Sequence, residues 1–114
     1  MPRITNMSEV KTVYLVNPEG VPETIEGFAN LPSARRFDSG EYEPPTPEQI
    51  KALRQLLGYS QNDLAKLVGV TWNAKKGSTA VRKWETAEGK SEHRTISYAQ
   101  WRGMLVTAGV VDKF

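Results

Sequence analysis

The sequence predicts a mainly α-helical fold, a small bundle of four to five helices, preceded by a short β-hairpin or irregular segment at the N-terminus. Three observations predict it. In residues 45–114, Ser or Thr repeatedly precedes a run of apolar residues at helical spacing, the pattern of a capped helix. Glycine follows most of these runs and ends them. Residues 1–44, by contrast, have no helical period and carry proline and glycine at turn positions.

The N-terminal segment, residues 1–44, is predicted to be a separate acidic unit. Residues 13–16 are mostly β-branched or aromatic, which indicates a strand, and residues 17–20 (Asn-Pro-Glu-Gly) have the composition of a β-turn. Pro22 confines the run that follows to a sheet edge or prevents a strand there. Residues 31–45 are rich in proline, serine and glycine without any period, so we predict that they are mostly linker.

The second unit, residues 45–114, is predicted to contain the helices. The predicted N-caps are Thr46, Ser60 and Ser97, and the predicted closing glycines are Gly58, Gly69 and Gly109. Val81 and Trp84 lie three residues apart and therefore share one face of a short third helix. A fragment that starts near Pro44 is expected to fold as a helical bundle, because the helix starts and the predicted core all lie beyond that residue.

Charge is distributed unevenly between the two units. The net charge of +2 is the sum of −3 in residues 1–44, with four basic and seven acidic groups, and +5 in residues 45–114, with eleven basic and six acidic groups. A basic unit joined to an acidic one indicates an anionic partner for the first, and nucleic acid is the usual candidate. The alternative is that these cations only solvate helix faces.

Composition argues against catalysis and against a membrane location. The chain has no cysteine and a single histidine, His93, which excludes disulfides, thiolate nucleophiles and histidine metal clusters. We therefore predict no catalytic residue, no metal site, no cofactor and no enzymatic activity. No apolar run is long enough to span a bilayer, and the first ten residues lack the apolar core of a signal peptide, so we expect a cytoplasmic protein.

Two motifs fall on the second and third predicted helices: SQxxLAxxxGVT, which starts at Ser60, and VxxWE, which starts at Val81. Together they resemble the helix-turn-helix of lambda-repressor-like (XRE-type) DNA-binding domains, over about residues 46–108. In that family the apolar residues fix the angle between two helices, so that the second lies in the major groove. The resemblance implies a sequence-specific regulator of transcription that binds double-stranded DNA, most simply a repressor of phage, plasmid or toxin–antitoxin type.

The chain departs from the family between the two motifs, where it has about six extra residues. Counting back from Trp84 places these at residues 72–77, and it places Ser78, Thr79 and Arg82 where the family reads base edges. Arg82 is the best single candidate, because its planar guanidinium can bond both O6 and N7 of a guanine. Ser78 and Thr79 are expected either to contact DNA or to cap the helix.

The extra residues are predicted to form a cationic tip that clamps the DNA backbone. Lys75 and Lys76 would neutralise phosphates, and Asn73 would add a donor. The alternative is a solvated surface loop. Trp72 is expected to pack on the core rather than to face the DNA, because large aromatic side chains are usually buried.

The remaining predicted contacts lie on either side of the third helix. The resemblance places Gln61 where the family has a glutamine that contacts phosphate or base, and it places Lys90 and Arg94 in a loop that approaches the phosphates. The complete predicted DNA-contacting set is Gln61, Asn73, Lys75, Lys76, Ser78, Thr79, Arg82, Lys83, Lys90 and Arg94.

The expected partners follow from the size of one recognition helix. A lone helix buries too little surface for tight specific binding, so we expect a homodimer on a palindromic operator. The N-terminal segment is expected either to pair with its copy in the second subunit, which would supply the dimer contact, or to cover the bundle. The alternative is a protein-interaction module, an antitoxin or adaptor, in which that segment binds a partner protein.

Overall fold

The structure, a computed structural model, describes Val16, Asn17 and residues 20–114. Its helices are α1 (Pro47–Leu56), α2 (Gln61–Val68), α3 (Thr79–Trp84) and α4 (Tyr98–Ala108), preceded by 3₁₀ turns at Glu26–Asn30, Pro32–Ala34 and Phe37–Ser39. The prediction of a mainly helical fold is confirmed. The described residues contain no strand, and residues 13–15 of the predicted hairpin lie outside them; Val16 forms an isolated antiparallel bridge with Pro22.

The predicted helix starts are confirmed by their cap geometry. The Thr46 hydroxyl accepts a hydrogen bond from the Gln49 backbone N–H at 3.1 Å, and the Gln49 side chain accepts one from the Thr46 N–H at 3.0 Å. Ser60 and Asp63 form the same reciprocal pair at the start of α2, at 3.0 and 2.9 Å. Hydrogen bonds from the backbone N–H and the hydroxyl of Ser60 lower the pKa of the Asp63 carboxyl. Gly69 ends α2 with a left-handed φ of 81°.

One hydrophobic core joins all four helices. Each helix contributes at least one large apolar side chain that is almost fully buried, and these are Ile50, Leu53, Leu64, Val81, Trp84, Trp101, Met104 and Leu105. The second helix packs against both α3 and α4, and α1 packs against α4. The apolar residues of both sequence motifs therefore hold α3 in a fixed position on the surface of the bundle.

Part of the segment before α1 belongs to the core, including the start of the predicted linker, residues 31–45. Phe28 is fully buried, and its ring centroid lies 6.2 Å from that of Trp101. The indole N–H of Trp101 donates to the carbonyl oxygen of Ser33 at 3.0 Å, and the guanidinium of Arg102 donates to that of Ala34 at 2.8 Å. The linker interpretation was wrong at Ser33 and Ala34, because these backbone carbonyls are the partners of buried donors on α4.

The same packing corrects the expectation for a shortened chain. Core residues lie on both sides of the boundary predicted between residues 44 and 45. A fragment starting near Pro44 would lack Phe28 and the carbonyl oxygens that pair with Trp101 and Arg102, and it would expose the apolar side chains that these residues cover. The structure therefore predicts that this fragment does not fold as a stable bundle.

Among the described residues, no helix combines the length and the apolar character that crossing a bilayer requires. Within the same residues, no cluster of three or more His, Asp or Glu side chains is arranged to hold a metal ion.

Candidate nucleic-acid interface

A buried ion pair fixes the end of α3 against α1. The carboxylate of Glu85 accepts hydrogen bonds from Nε and Nη2 of Arg54 at 2.7 and 3.0 Å, and these side chains are only 5% and 10% exposed. The third nitrogen of the guanidinium donates to the carbonyl oxygen of Tyr59 at 2.9 Å. Both charges are thus paired and hydrogen-bonded, as burial of an ion pair requires. The arrangement sets the angle at which α3 leaves the bundle.

Gln61 belongs to this internal network. Its amide nitrogen donates to Oε1 of Glu85 at 3.0 Å, so the first residue of α2 is joined to the residue that ends α3. The side chain predicted to contact DNA therefore has an internal role in the structure. Arg54 was not among the predicted residues, although it follows the core residue Ile50 by four positions and thus shares its helix face.

Residues 72–77, predicted to be an insertion, form a closed turn, which we call the tip. Asn73 and Gly77 exchange two backbone hydrogen bonds of 2.9 and 2.8 Å. The side-chain oxygen of Asn73 accepts from the backbone N–H groups of Lys75 and Lys76 at 2.8 and 2.9 Å. The amide of Asn62, on α2, donates to the carbonyl oxygen of Asn73 at 3.0 Å. The tip therefore satisfies much of its own backbone and is attached to α2.

Trp72 does not pack on the core, and this prediction was wrong. The residue is 42% exposed, and the ammonium group of Lys66 lies over its ring, 4.4 Å from the centroid. The physical reason is the bond from Asn62, which holds the tip over the outer face of α2. The interior beneath is already filled by the buried Leu64 and Trp84.

Ser78 and Thr79 have different environments at the start of α3. Ser78 is 1% exposed, and its hydroxyl accepts a hydrogen bond from the Val81 N–H at 3.3 Å. Ser78 was expected either to contact DNA or to cap the helix, and in the structure it caps the helix. Thr79 is the first residue of α3 and is exposed to solvent.

A groove of about 750 Å³ lies between the tip, α3 and the loop that follows α3. Five predicted contact residues line it, namely Asn73, Lys76, Thr79, Lys83 and Arg94. The backbone N–H of Arg94 donates to the carbonyl oxygen of Lys83 at 3.1 Å, which joins the loop to the end of α3. None of the described residues that line the groove is acidic. The structure thus brings half of the predicted set together on one concave surface.

Three more predicted residues are exposed but do not line this groove: Lys75, Arg82 and Lys90. Within the described chain, their side chains have no hydrogen-bond or ion-pair partner. Successive residues of a helix are turned by roughly 100°, so Arg82 and Lys83 lie on opposite flanks of the buried stripe formed by Val81 and Trp84. The exposed surface of α3 therefore carries a cation on each flank, with Thr79 between them.

The charge of the surface formed by the tip and α3 is almost entirely positive. Residues 69–84 contain four basic residues, Lys75, Lys76, Arg82 and Lys83, and no acidic residue. The next carboxylate in the chain, that of Glu85, is neutralised internally by Arg54. The nearest surface ion pair is a loose one, with Lys83 Nζ 3.9 Å from Glu92 Oε1. A surface of this charge is suited to a polyanion, because breaking the loose ion pair between Lys83 and Glu92 costs little free energy.

No protein-family model matches the chain, and a comparison with curated proteins also gives no match.

Proposed function

We propose that this protein is a sequence-specific regulator of transcription that binds double-stranded DNA with α3 as its recognition helix. The observation that carries the proposal is the surface formed by the tip and α3. It has four cations and no acidic residue over sixteen consecutive positions, 69–84, on a helix held in place by a buried ion pair. A short helix presented in this way, beside cations for the flanking phosphates, fits the major groove.

The exposed residues of this surface divide into two roles. Arg82 is the proposed base reader, because its guanidinium is exposed and has no partner among the described residues. Lys75, Lys76 and Arg94 are proposed to contact phosphates, which fix the position of the protein on the duplex without reading sequence. Lys90 belongs with this second group. Ser78 and Gln61 are left out, because the Ser78 hydroxyl caps α3 and the Gln61 amide bonds Glu85. Arg94 is kept although its Nη1 donates to the carbonyl oxygens of Ser91 and His93, because the residue is exposed and lines the groove.

We further propose a homodimer that represses transcription by occluding a palindromic operator. The recognition helix has only six residues, so one copy makes too few base contacts for tight specific binding. Two copies related by a twofold axis would read two half-sites about one helical turn apart. Sedimentation of the free protein and of its complex tests the stoichiometry, which should be two chains for each operator.

The first experiment is selection of bound duplexes from a random pool, followed by titration of Arg82→Ala on the selected site. We expect a palindromic consensus, and we expect the variant to bind it more weakly by about 1–3 kcal/mol with relaxed preference at one position. Binding to a random duplex should change little. Arg36→Ala is the charge-matched control, because Arg36 is exposed and pairs locally with Asp38.

Two outcomes would count against these assignments. Equal losses on specific and random duplexes would give Arg82 a phosphate contact rather than a base contact. Failure of the wild-type protein to bind any duplex, even at low salt, would reject the DNA-binding function and favour the protein-interaction module.

A further inference from the structure

The exposed indole of Trp72 lies in the groove beside the cations Lys76, Lys83 and Arg94. Phosphate contacts would explain these cations but not the indole. We propose that the groove between the tip and α3 holds the sugar–phosphate backbone of one DNA strand, and that Trp72 packs against its deoxyriboses. This inference rests on the proposed DNA-binding function. It adds a specific apolar contact, made by a residue that the helix-turn-helix motifs do not include.

The chemistry of the groove matches that of a nucleic-acid strand. Lys76, Lys83 and Arg94 line it with positive charge, while Val70 and the rings of Trp72 and Trp84 give it apolar surface. A DNA strand alternates anionic phosphates with deoxyriboses, whose C–H faces are largely apolar. Cations and an aromatic surface side by side therefore complement both parts of the repeating unit.

Trp72 is placed to make this contact without a large ordering cost. The closed turn of the tip and the bond from Asn62 to Asn73 fix the backbone next to it. Lys66 lies over one face of the indole, yet 42% of the residue remains exposed. The apolar area that a ligand covers on a pre-positioned aromatic side chain contributes favourable binding free energy, and the side chain loses little conformational entropy on binding.

The position of the groove favours a sugar contact over a base contact. The groove lies on the Lys83 flank of α3, whereas Arg82, the proposed base reader, is turned away from it. The contact should therefore be independent of sequence. It should also be independent of salt, because tryptophan carries no charge and releases no counterion.

The test compares Trp72→Ala and Trp72→Phe with wild type on the selected operator and on a random duplex, each over a series of salt concentrations. We expect Trp72→Ala to weaken binding about five- to tenfold on both duplexes, the size expected from uncovering part of one aromatic side chain, with an unchanged salt slope. Phe should restore part of the affinity. Phe114→Ala, which removes an exposed aromatic residue outside the groove, should bind like wild type.

A second readout uses the fluorescence of the wild-type protein. Trp84 and Trp101 are 5% and 0% exposed, so quenching by acrylamide reports mainly on Trp72. Either duplex should reduce that quenching. Three results would overturn the inference while the proposed function stands. Trp72→Ala could bind both duplexes with unchanged affinity, or it could lose affinity for the operator only. The third is DNA binding that leaves the quenching of Trp72 by acrylamide unchanged. Binding of neither duplex by wild type would overturn the proposed function itself.

Discussion

Two irregular stretches of this chain, residues 21–34 and residues 70–77, have similar composition and opposite environments. Each contains one aromatic ring, one glycine and two charges of the same sign. In the first stretch Phe28 is fully buried, whereas in the second Trp72 is 42% exposed. The larger ring is thus the one left partly in solvent. Composition therefore does not decide which stretch joins the core.

The backbone hydrogen bonds of the two stretches explain the difference. The first stretch gives the carbonyl oxygens of Ser33 and Ala34 to side chains of α4. Both stretches also pair part of their own backbone, and the tip gives one carbonyl oxygen, that of Asn73, to the Asn62 side chain of α2. The bonds to α4 are buried and the bond from Asn62 is exposed, so the first stretch must lie against its partner helix, whereas the tip can remain in solvent.

The largest expected effect is the loss of the first stretch. A chain that begins at Pro44 lacks Phe28 and the two carbonyl oxygens that pair with Trp101 and Arg102. The apolar burial lost with this stretch and the two lost hydrogen bonds together should cost more than about 5 kcal/mol, most of the stability of a typical small domain. Urea unfolding followed by circular dichroism measures this.

The control for that truncation is a chain that begins at Val16, which keeps the whole first stretch. Comparing the Pro44 chain with this chain isolates the effect of losing residues 16–43. A Pro44 chain that unfolds as cooperatively and at the same midpoint would show that residues 21–34 do not support the core.

A direct comparison of the two aromatic residues should give the next largest effect. Phe28→Ala should lower the free energy of unfolding by about 3–5 kcal/mol, because it leaves a cavity beside Trp101. Trp72→Ala should lower it by less than about 1 kcal/mol, because the ring is partly solvated already. The same urea titration measures both variants, and equal losses would contradict the contrast between the two stretches.

The smallest expected effect concerns the charge of the tip. The double variant Lys75→Ala/Lys76→Ala should unfold like wild type, because both side chains are exposed and unpaired among the described residues. If both neutralise phosphates, the slope of log K against log salt should become shallower by roughly 2. Lys51→Ala/Lys113→Ala removes two exposed cations elsewhere and serves as the control. An unchanged slope in the tip variant would make the tip a solvated loop.

The helices and the elements of the candidate site were predictable to different degrees. The caps at Thr46 and Ser60 were predicted correctly, because a cap depends on residues within four positions of one another. The placement of the tip before Ser78 was also correct. The internal use of Gln61 was not predicted, since its partner Glu85 is 24 residues away. The proposed DNA contacts remain predictions.

By itself, the sequence determined where α1, α2 and α4 start and end, where α3 starts, and the excess of positive charge in residues 69–84. These properties follow from neighbouring residues, because capping, left-handed glycine and charge runs are local. Only the tertiary structure decided that Phe28 enters the core, that Trp72 stays exposed and that Arg54 pairs with Glu85. The partners involved are 31 residues apart for the ion pair and 68 for Ser33 with Trp101, and such contacts form only when packing brings distant elements together.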